Sequence, residues 1–359
     1  MPDAPAFAQA AADKPHVLVV APNWLGDAVM SLPALNDIRR AYPHGRLSVA
    51  ARSSVAPLYG MVPGVDETIV TRWRGSLANR QVLDEDVQRV RAGQVDIAIL
   101  FPNSFSAAWA MRRAGVRQRW GYSADLRRPL LTRAVARPRG SMHQGAYYQL
   151  LVRGLGIATG DLEPVVAVPA SAREEATSLL TIHGRDSSRP LLVVAPGAAY
   201  GTAKRWLPEY FGALMISTID ATRAQCVLVG TADDAATAQE VMASVGPAHR
   251  DAMIDLTGAT TLPVLAGVMT LAAACVSNDS GAMHLAAAVG TPLAAVFGPT
   301  RDHETAPLTR HGSRADVLVN PVWCRPCMLR ECPIDHGCMK GLTPARVSAS
   351  VLGLMEVRS

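Results

Sequence analysis

The sequence of 359 residues is poor in aromatic side chains and in long hydrophobic runs. Phe, Trp and Tyr make up 5% of the chain, whereas hydrophobic residues as a whole make up 49%. A composition led by Ala, Val and Leu is typical of helices packed on buried parallel strands. No run reaches the ~20 apolar residues that a membrane-spanning helix needs. We therefore expect an α/β protein without a transmembrane segment.

Further features that the sequence lacks argue against other classes of protein. No GxGxxG motif follows any predicted strand, which argues against a dinucleotide-dependent oxidoreductase. The opening residues, MPDAPAFAQAAADKPH, have neither a basic start nor a continuous apolar core, so they do not resemble a secretory signal. Six cysteines in so long a chain favour reduced thiols or a metal site over a disulfide framework. These features predict a cytoplasmic protein.

Strand-like and helix-like segments alternate in two series along the chain. The first series begins with HVLVVA and the second with PLLVVAPG; such alternation indicates βαβ units and a parallel sheet. A polar segment bounded by Pro164 and Pro190 separates the two series, and the length suits two domains. We predict an N-terminal domain at 1–169, a second domain at 170–343 and a closing helix at 344–359.

In the second series, the strand ACVSND leads directly into DSGAMHLAAAVG. Asp279, Ser280 and Gly281 therefore form a strand-to-helix turn. Small residues there let backbone amides approach an anion at the positive end of the helix. An ordinary capped turn explains the same residues equally well. His284, one turn further on, fits a hydrogen-bonded, partly buried histidine better than a catalytic base.

The loop APGAAYGTAKRWLPEYF follows the first strand of the same series. It offers the Thr202 hydroxyl and the Lys204 cation, which suit a phosphate; the alternative is a solvated basic loop. Two such loops at one sheet edge favour a nucleotide diphosphate. Asp233 and Asp234 come after AQCVLVG, where a carboxylate could accept bonds from ribose hydroxyls or simply cap a helix.

Near the start of the chain, PNWLGDAVMSLPAL places Asp27 between a strand-like and a helix-like run. Asp is a preferred N-cap residue. A carboxylate that follows the first strand of an α/β sheet also points into the ligand crevice. From these residues alone, both interpretations stay open.

Four stretches together resemble one known family. They are PNWLGDAVMSLPAL, PGAAYGTAKRWLPEYF, VSNDSGAMHLAAAVGTPLAAVFGPT and CRPCMLRECPIDHGCMKGLTPARV. They are similar to the ADP-heptose:lipopolysaccharide heptosyltransferases, and GTAKRW most resembles the heptosyltransferase II branch of the inner core. The resemblance covers nearly the whole chain, from about Val17 to Val347.

The resemblance implies a GT-B fold, with two facing Rossmann-like domains, a cleft between them and a last helix, at 344–359, that crosses back to the first domain. It implies an inverting transfer of L-glycero-D-manno-heptose from ADP-L-glycero-D-manno-heptose to the first heptose of the lipopolysaccharide inner core. Asp27 would be the general base, Lys204 would contact phosphate and Asp279 would hold heptose hydroxyls. The donor-binding residues predicted in all are Thr202, Lys204, Asp234, Asp279, Ser280, Gly281, Ala282 and His284.

An inverting displacement needs a base on the acceptor face and charge stabilisation for the departing diphosphate on the opposite face. Asp27 and the Lys204 loop lie in different halves of the chain, as this requires. This favours the general-base role of Asp27 over helix capping. No Asp-x-Asp motif follows a strand in the second half. We therefore expect catalysis without a metal or another cofactor.

A basic stretch between 112 and 139 contains RRAGVRQR, LRRPLLTR and ARPR, with Asp125 as its one acidic residue. Such a run is usually a solvated face, and a nucleic-acid patch is the alternative. Because the implied acceptor carries acidic sugars and phosphates, arginines suit it. We assign acceptor binding to Asn103, at the strand end VDIAILFPNSF, and to Arg112, Arg113 and Arg119, and we expect these four residues at the same edge of the sheet.

Four cysteines near the C-terminus follow a C-x2-C-x4-C-x5-C pattern: Cys324, Cys327, Cys332 and Cys338. Close spacing of this kind is found in structural zinc sites. The alternative is a compact cluster of reduced thiols that packs the turn before the last helix. Cys226 and Cys275 lie within strand patterns and fit core positions.

Three functions therefore compete. The first is the heptosyltransferase, with a nucleotide-sugar donor, a lipopolysaccharide acceptor at the inner-membrane surface and no nucleic-acid partner. It would be cytoplasmic, either free or peripheral on the cytoplasmic face of the inner membrane. The second is another GT-B sugar-nucleotide enzyme, since a fold does not fix a function. The third is a non-enzymatic nucleotide-binding or nucleic-acid-binding protein.

Overall fold

A computed structural model of the protein describes residues 14–72 and 80–356. The contacts divide the chain into two units, Met1–Val165 and Val166–Ser359. This division lies near the predicted domain limit at 169/170; the predicted limits themselves and the return of residues 344–359 to the first domain stay predictions. Each unit contains one six-stranded sheet.

Within residues 14–72 and 80–165, the first unit has six strands and six α-helices. Its strands are β1 (His16–Val20), β2 (Arg46–Arg52), β3 (Glu67–Thr71), β4 (Ile97–Leu100), β5 (Gln118–Ser123) and β6 (Arg133–Ala136). Its helices are α1 (Leu25–Met30), α2 (Leu32–Ala41), α3 (Ala56–Tyr59), α4 (Arg80–Ala92), α5 (Phe105–Arg113) and α6 (Gln144–Gly154).

The strands of this sheet are parallel and follow the order β3-β2-β1-β4-β5-β6. Val17 of β1 pairs with Leu47 on one side and with Ile97 on the other. This is the Rossmann strand order, whose ligand crevice lies at the carboxyl ends of the strands where the order reverses. The reversal falls between β1 and β4, so the loops that follow these two strands form the crevice edge.

Burial on both faces explains the apolar strands. Val17, Leu18 and Val19 are almost inaccessible to solvent, as expected for a parallel sheet covered by helices. The first helical segment is broken in two at Ser31, because Pro33 lies near the start of α2 and cannot donate a backbone hydrogen bond to a preceding turn.

The second unit has the same number of strands. They are β7 (Leu191–Ala195), β8 (Gln225–Leu228), β9 (Met253–Asp255), β10 (Ala274–Asn278), β11 (Leu293–Phe297) and β12 (Ala315–Val319). Its helices are α7 (Ala170–Ile182), α8 (Pro208–Thr222), α9 (Ala235–Val245), α10 (Leu262–Leu271), α11 (Gly281–Ala288), α12 (Asp302–Thr305), α13 (Gly337–Lys340) and α14 (Pro344–Glu356).

The second sheet repeats the topology of the first. Its order is β12-β11-β10-β7-β8-β9, and its strand pairs are parallel. The order reverses between β7 and β10, so the crevice edge is formed by the loops after these strands. The helix α14 packs on α8, β10 and β11 of this unit. Nowhere in residues 14–72 and 80–356 is a helix both long and apolar enough to cross a membrane.

Candidate functional site

In the second unit, the ends of three neighbouring strands meet at the Asp279 carboxylate. Asp279 directly follows β10, Lys204 lies in the loop after β7, and Thr300 follows β11. The Lys204 Nζ lies 2.5 Å from Asp279 Oδ2, and the Thr300 hydroxyl donates to the same oxygen at 2.6 Å. Lys204 and Asp279, which were predicted to share an edge, are therefore in direct contact.

Lys204 can still serve a ligand while it is paired. An ammonium group carries three N–H donors, and the Asp279 contact uses one of them. The Lys204 Nζ also lies 5.0 Å from the centre of the Tyr200 ring, which attracts a cation to its face. The side chain of Lys204 is 13% exposed, so part of it is accessible at the crevice edge.

Asn278 ties the two crevice loops together. This side chain is fully buried at the end of β10. Its Oδ1 accepts a bond from the Trp206 amide at 3.0 Å, and its Nδ2 donates to the Pro196 carbonyl at 2.7 Å. Asn278 was not predicted from the sequence, although an Asn inside the apolar strand ACVSN was the available signal. Thr300 was missed too, and its position just after β11 was the signal there.

Ser280, Gly281 and Ala282 form the predicted strand-to-helix turn. Ser280 is the N-cap residue of α11 and makes no side-chain capping bond; its hydroxyl lies 3.1 Å from the Ser277 hydroxyl instead. All three residues are half-buried, and the first amides of a helix have no acceptor within the helix. The turn therefore offers accessible backbone donors. His284 is 3% exposed inside α11.

Asp234 has the capping role that the sequence left open. Its Oδ2 accepts bonds from the Thr231 amide at 2.9 Å and from the Thr231 hydroxyl at 2.8 Å, which completes a capping box. A Cβ placed on Gly197 would lie 2.3 Å from Asp234 Oδ1. Glycine is thus required at 197 for the loops after β7 and β8 to approach each other.

The residues 322–341, here called the cysteine segment, pack against the Lys204 loop. The Ala203 amide donates to the Arg330 carbonyl at 2.9 Å, and His336 Nε2 lies 2.8 Å from the Ala203 carbonyl. The Tyr200 hydroxyl donates to the Met328 carbonyl at 2.8 Å. The cysteine segment therefore helps to fix the backbone that carries Lys204.

The four cysteines of this segment are free thiols. Burial raises the pKa of Cys338, and the charges of Cys332, Cys324 and Cys327 raise it further, so these groups lie near one another. Within residues 14–72 and 80–356, no three His, Cys, Asp or Glu side chains are arranged to hold a metal ion. The structural metal site and its alternative, the compact cluster of reduced thiols, both stay predictions.

In the first unit, Asp27 is the third residue of α1 and is half-buried. The N-cap residue is Trp24, which makes no side-chain capping bond, so the interpretation of Asp27 as the N-cap was wrong. Tyr59 and Tyr148 are buried beside it. Burial raises the pKa of both phenols, and the Asp27 charge raises the pKa of each further. Asp27 is therefore a carboxylate next to two neutral phenols.

Asn103 follows β4 and is half-buried. Its Nδ2 donates to the Tyr147 hydroxyl at 2.8 Å. Because β1 and β4 are neighbours at the point where the strand order reverses, Asp27, in the first turn of the helix after β1, and Asn103, in the loop after β4, lie at one crevice edge.

The three predicted acceptor arginines lie elsewhere. Arg112 and Arg113 end α5, and Arg119 lies at the start of β5, opposite Ala98 near the start of β4. Because α5 runs back along the sheet, these residues lie at the amino ends of the strands. Arg119 donates to the Leu130 carbonyl at 2.7 Å. The expectation that they share the Asn103 edge was wrong, since the stretch that was interpreted as one basic run contains β5 and β6.

Comparison with known proteins identifies the family. The model of glycosyltransferase family 9 (heptosyltransferase) matches residues 86–337. The chain belongs to glycosyltransferase family 9. It is accordingly a glycosyltransferase, as predicted, and the alternative of a non-enzymatic binding protein is set aside. The matched range includes Lys204 and Asp279 and begins after Asp27.

Relatives and a solved structure agree with this assignment. The family 9 chain is 30% identical over 311 residues to lipopolysaccharide heptosyltransferase 2 of Escherichia coli and 31% identical over 311 residues to that of Salmonella typhimurium. In both cases, 84% of this chain and 88% of the relative are covered. The structure of the Escherichia coli ADP-heptose heptosyltransferase II matches with a TM-score of 0.82 at 26% identity, over 96% of this chain and 99% of that one. The predicted GT-B fold is thereby confirmed.

Proposed function

We propose that this family 9 transferase moves L-glycero-D-manno-heptose from ADP-L-glycero-D-manno-heptose to the first heptose of the lipopolysaccharide inner core, with inversion. The relatives of about 30% identity are named as heptosyltransferases 2 of lipopolysaccharide. The observation that carries the proposal is the contact of Lys204 with Asp279 and of Asp279 with Thr300 at the crevice edge of the second sheet. A cation and a helix N-terminus at such an edge suit a nucleotide diphosphate.

The donor diphosphate is held in the second unit. Lys204 donates to its oxygens, and the amides of Gly281 and Ala282 at the start of α11 add further donors. Asp279 accepts bonds from heptose hydroxyls while it keeps Lys204 in place. We keep Thr202, Ser280 and Asp234 as donor-binding residues, the last facing the ribose, and His284 as a buried support of α11.

In the reaction, the acceptor hydroxyl oxygen attacks C1 of the heptose and transfers its proton to Asp27. The bond between C1 and the diphosphate oxygen breaks on the opposite face, so the configuration at C1 inverts. The negative charge that develops on the diphosphate is stabilised by Lys204 and by the α11 amides. General-base catalysis of this kind contributes about 10²–10⁴-fold to the rate.

The acceptor is bound in the first unit, where Asn103 shares an edge with Asp27. Arg112, Arg113 and Arg119 are not part of this proposal, because they lie at the other edge of the sheet. We expect the reaction to need no metal cofactor, and the enzyme to work in the cytoplasm or on the cytoplasmic face of the inner membrane, where its acceptor is found.

The test is transfer from ADP-heptose to a heptose-bearing, truncated lipopolysaccharide core, with wild-type protein and Asp27→Asn side by side and with a chelator present. We expect transfer by the wild type that survives the chelator. Asp27→Asn should keep its affinity for ADP and lose turnover by about 10²-fold or more. Weak ADP binding with normal turnover at saturation would remove Asp27 from the base role, and transfer from a UDP-sugar but not from ADP-heptose would support a different GT-B enzyme.

A further inference from the structure

Three side chains of the first unit form a chain of hydrogen bonds beside the β4 loop. Arg127 is completely buried. It donates to the Tyr122 carbonyl at 2.9 Å, to the Pro102 carbonyl, and through Nη2 to Asn103 Oδ1 at 3.4 Å. Asn103 in turn donates to the Tyr147 hydroxyl. Arg127, Asn103 and Tyr147 are here called the relay.

The chemistry of the three groups gives the relay a single direction. A guanidinium can only donate, so the amide oxygen of Asn103 faces Arg127 and the amide nitrogen faces Tyr147. The Tyr147 hydroxyl oxygen therefore accepts a bond from Asn103. A hydroxyl has one proton, and the proton of Tyr147 must point away from Asn103. The relay thus ends in an outward hydrogen-bond donor.

The position of that donor is fixed by its neighbours. The Tyr122 hydroxyl donates to the Tyr147 carbonyl at 2.7 Å, and the two rings lie 4.7 Å apart. Tyr147 is half-buried in the first turn of α6, and α6 packs on α1, which carries Asp27. The next residue, Tyr148, feels the charge of Asp27. The Tyr147 hydroxyl is therefore held in the same region as the proposed base.

The buried cation strengthens this donor. Burial lowers the pKa of Arg127 to about 10, so the group is still charged at neutral pH. The three acceptors of its bonds are neutral oxygens, and the charge of Asp125 also acts on this cation. Successive hydrogen bonds polarise one another by about 10–30% per bond in a low-dielectric interior. The Tyr147 hydroxyl is consequently a better donor than an isolated phenol.

We propose that Tyr147 is an acceptor-binding residue whose hydroxyl donates a hydrogen bond to an oxygen of the saccharide acceptor. Asn103 and Arg127 are positioning residues that orient this hydroxyl and do not themselves need to touch the acceptor. The proposal rests on the proposed function, because that function defines the acceptor.

The decisive variant is Asn103→Asp. The carboxylate has nearly the same shape and strengthens the contact with Arg127, but it only accepts hydrogen bonds. The Tyr147 hydroxyl must then donate inward to residue 103, and the acceptor loses its donor. We expect the KM for the acceptor to rise about tenfold, the effect of one lost hydrogen bond. The KM for ADP-heptose and the thermal stability should not worsen.

Tyr147→Phe should raise the acceptor KM to the same extent, and the double variant should be no worse than either single one. Two control variants repeat these changes outside the relay: Asn36→Asp lies on α2, and Tyr42→Phe is at the C-cap position of α2. The acceptor KM of both should match that of the wild type. A wild-type acceptor KM in Asn103→Asp or in Tyr147→Phe would overturn the proposal. So would a loss of stability in Asn103→Asp that accounts for its lower activity.

A readout without substrate separates this proposal from the proposed function. Neutron diffraction of the free protein should place the Tyr147 hydroxyl proton away from residue 103 in the wild type and towards it in Asn103→Asp. The same proton position in both proteins would refute the relay. If the wild-type protein transfers no heptose, but the proton position still reverses between wild type and Asn103→Asp, the proposed function is refuted and the relay is not.

Discussion

Replacing Lys204 by Met is expected to weaken both the fold of the second unit and its affinity for ADP. Asp279 is 5% exposed and would lose its cation, while the Thr300 hydroxyl would still donate to it. Removal of one partner from a buried ion pair costs about 3–5 kcal/mol. Because one hydrogen bond to the carboxylate remains, we expect a loss of about 3 kcal/mol in the free energy of unfolding, at the lower end of this range.

The effect on the ligand follows from the same side chain. A hydrogen bond to a charged group contributes about 2 kcal/mol, and 1.4 kcal/mol corresponds to a tenfold change in affinity, so the Kd for ADP should rise about 30-fold. Urea denaturation measures the loss of stability, and isothermal titration calorimetry with ADP measures the loss of affinity. Lys340→Met is the matched control, because Lys340 is exposed on α13.

A second variant separates the two effects. In Lys204→Met with Asp279→Asn, the buried carboxylate is gone, so much of the stability should return while the ADP affinity stays low. The reasoning would be refuted if Lys204→Met unfolded at the wild-type urea concentration and bound ADP as tightly as the wild type. It would also be refuted if the double variant regained ADP affinity together with stability.

Three further predictions concern the loops and the thiols. Gly201→Ala would bring a Cβ to 2.3 Å from the Arg330 carbonyl oxygen, and we expect a loss of about 1–3 kcal/mol from this overpacking; an unchanged melting temperature would contradict it. Asp234→Ala removes the capping box and should cost about 1 kcal/mol in urea denaturation, whereas wild-type stability would mean that the cap contributes nothing. Burial raises the pKa of the Cys226 and Cys275 thiols to about 12. At pH 8 only ~10⁻⁴ of each is thiolate, so iodoacetamide should label the exposed Cys327 and leave both unmodified by mass spectrometry; labelling at equal rates would refute their burial.

The sequence predicted most of the architecture because hydrophobic periodicity is a local signal. The turn predicted at Asp279, Ser280 and Gly281 leads into α11, which begins at Gly281, and the closing helix predicted from 344 is α14, which begins at Pro344. The strands β5 and β6 were missed because arginine and other polar residues interrupt their apolar pattern. That omission also placed Arg119 at the wrong edge of the sheet.

Contacts between distant residues were only partly predictable. Lys204 and Asp279 could be assigned to one edge because each follows a predicted parallel strand. Asn103 and Tyr147 are 44 positions apart, and no pattern in the sequence fixes where α6, the helix that carries Tyr147, docks. The direction of the relay depends on side-chain geometry, which periodicity does not contain.

Asn278 has a thermodynamic consequence for ligand binding. Its amide holds the loop after β7 and the end of β10 by two hydrogen bonds at a fully buried site. The conformational entropy of these segments is therefore lost when the protein folds, and it is not lost again when a nucleotide arrives. Crystal structures of the second unit with and without ADP should accordingly superimpose closely along 196–206, and the entropy of ADP binding should carry little contribution from the ordering of this loop.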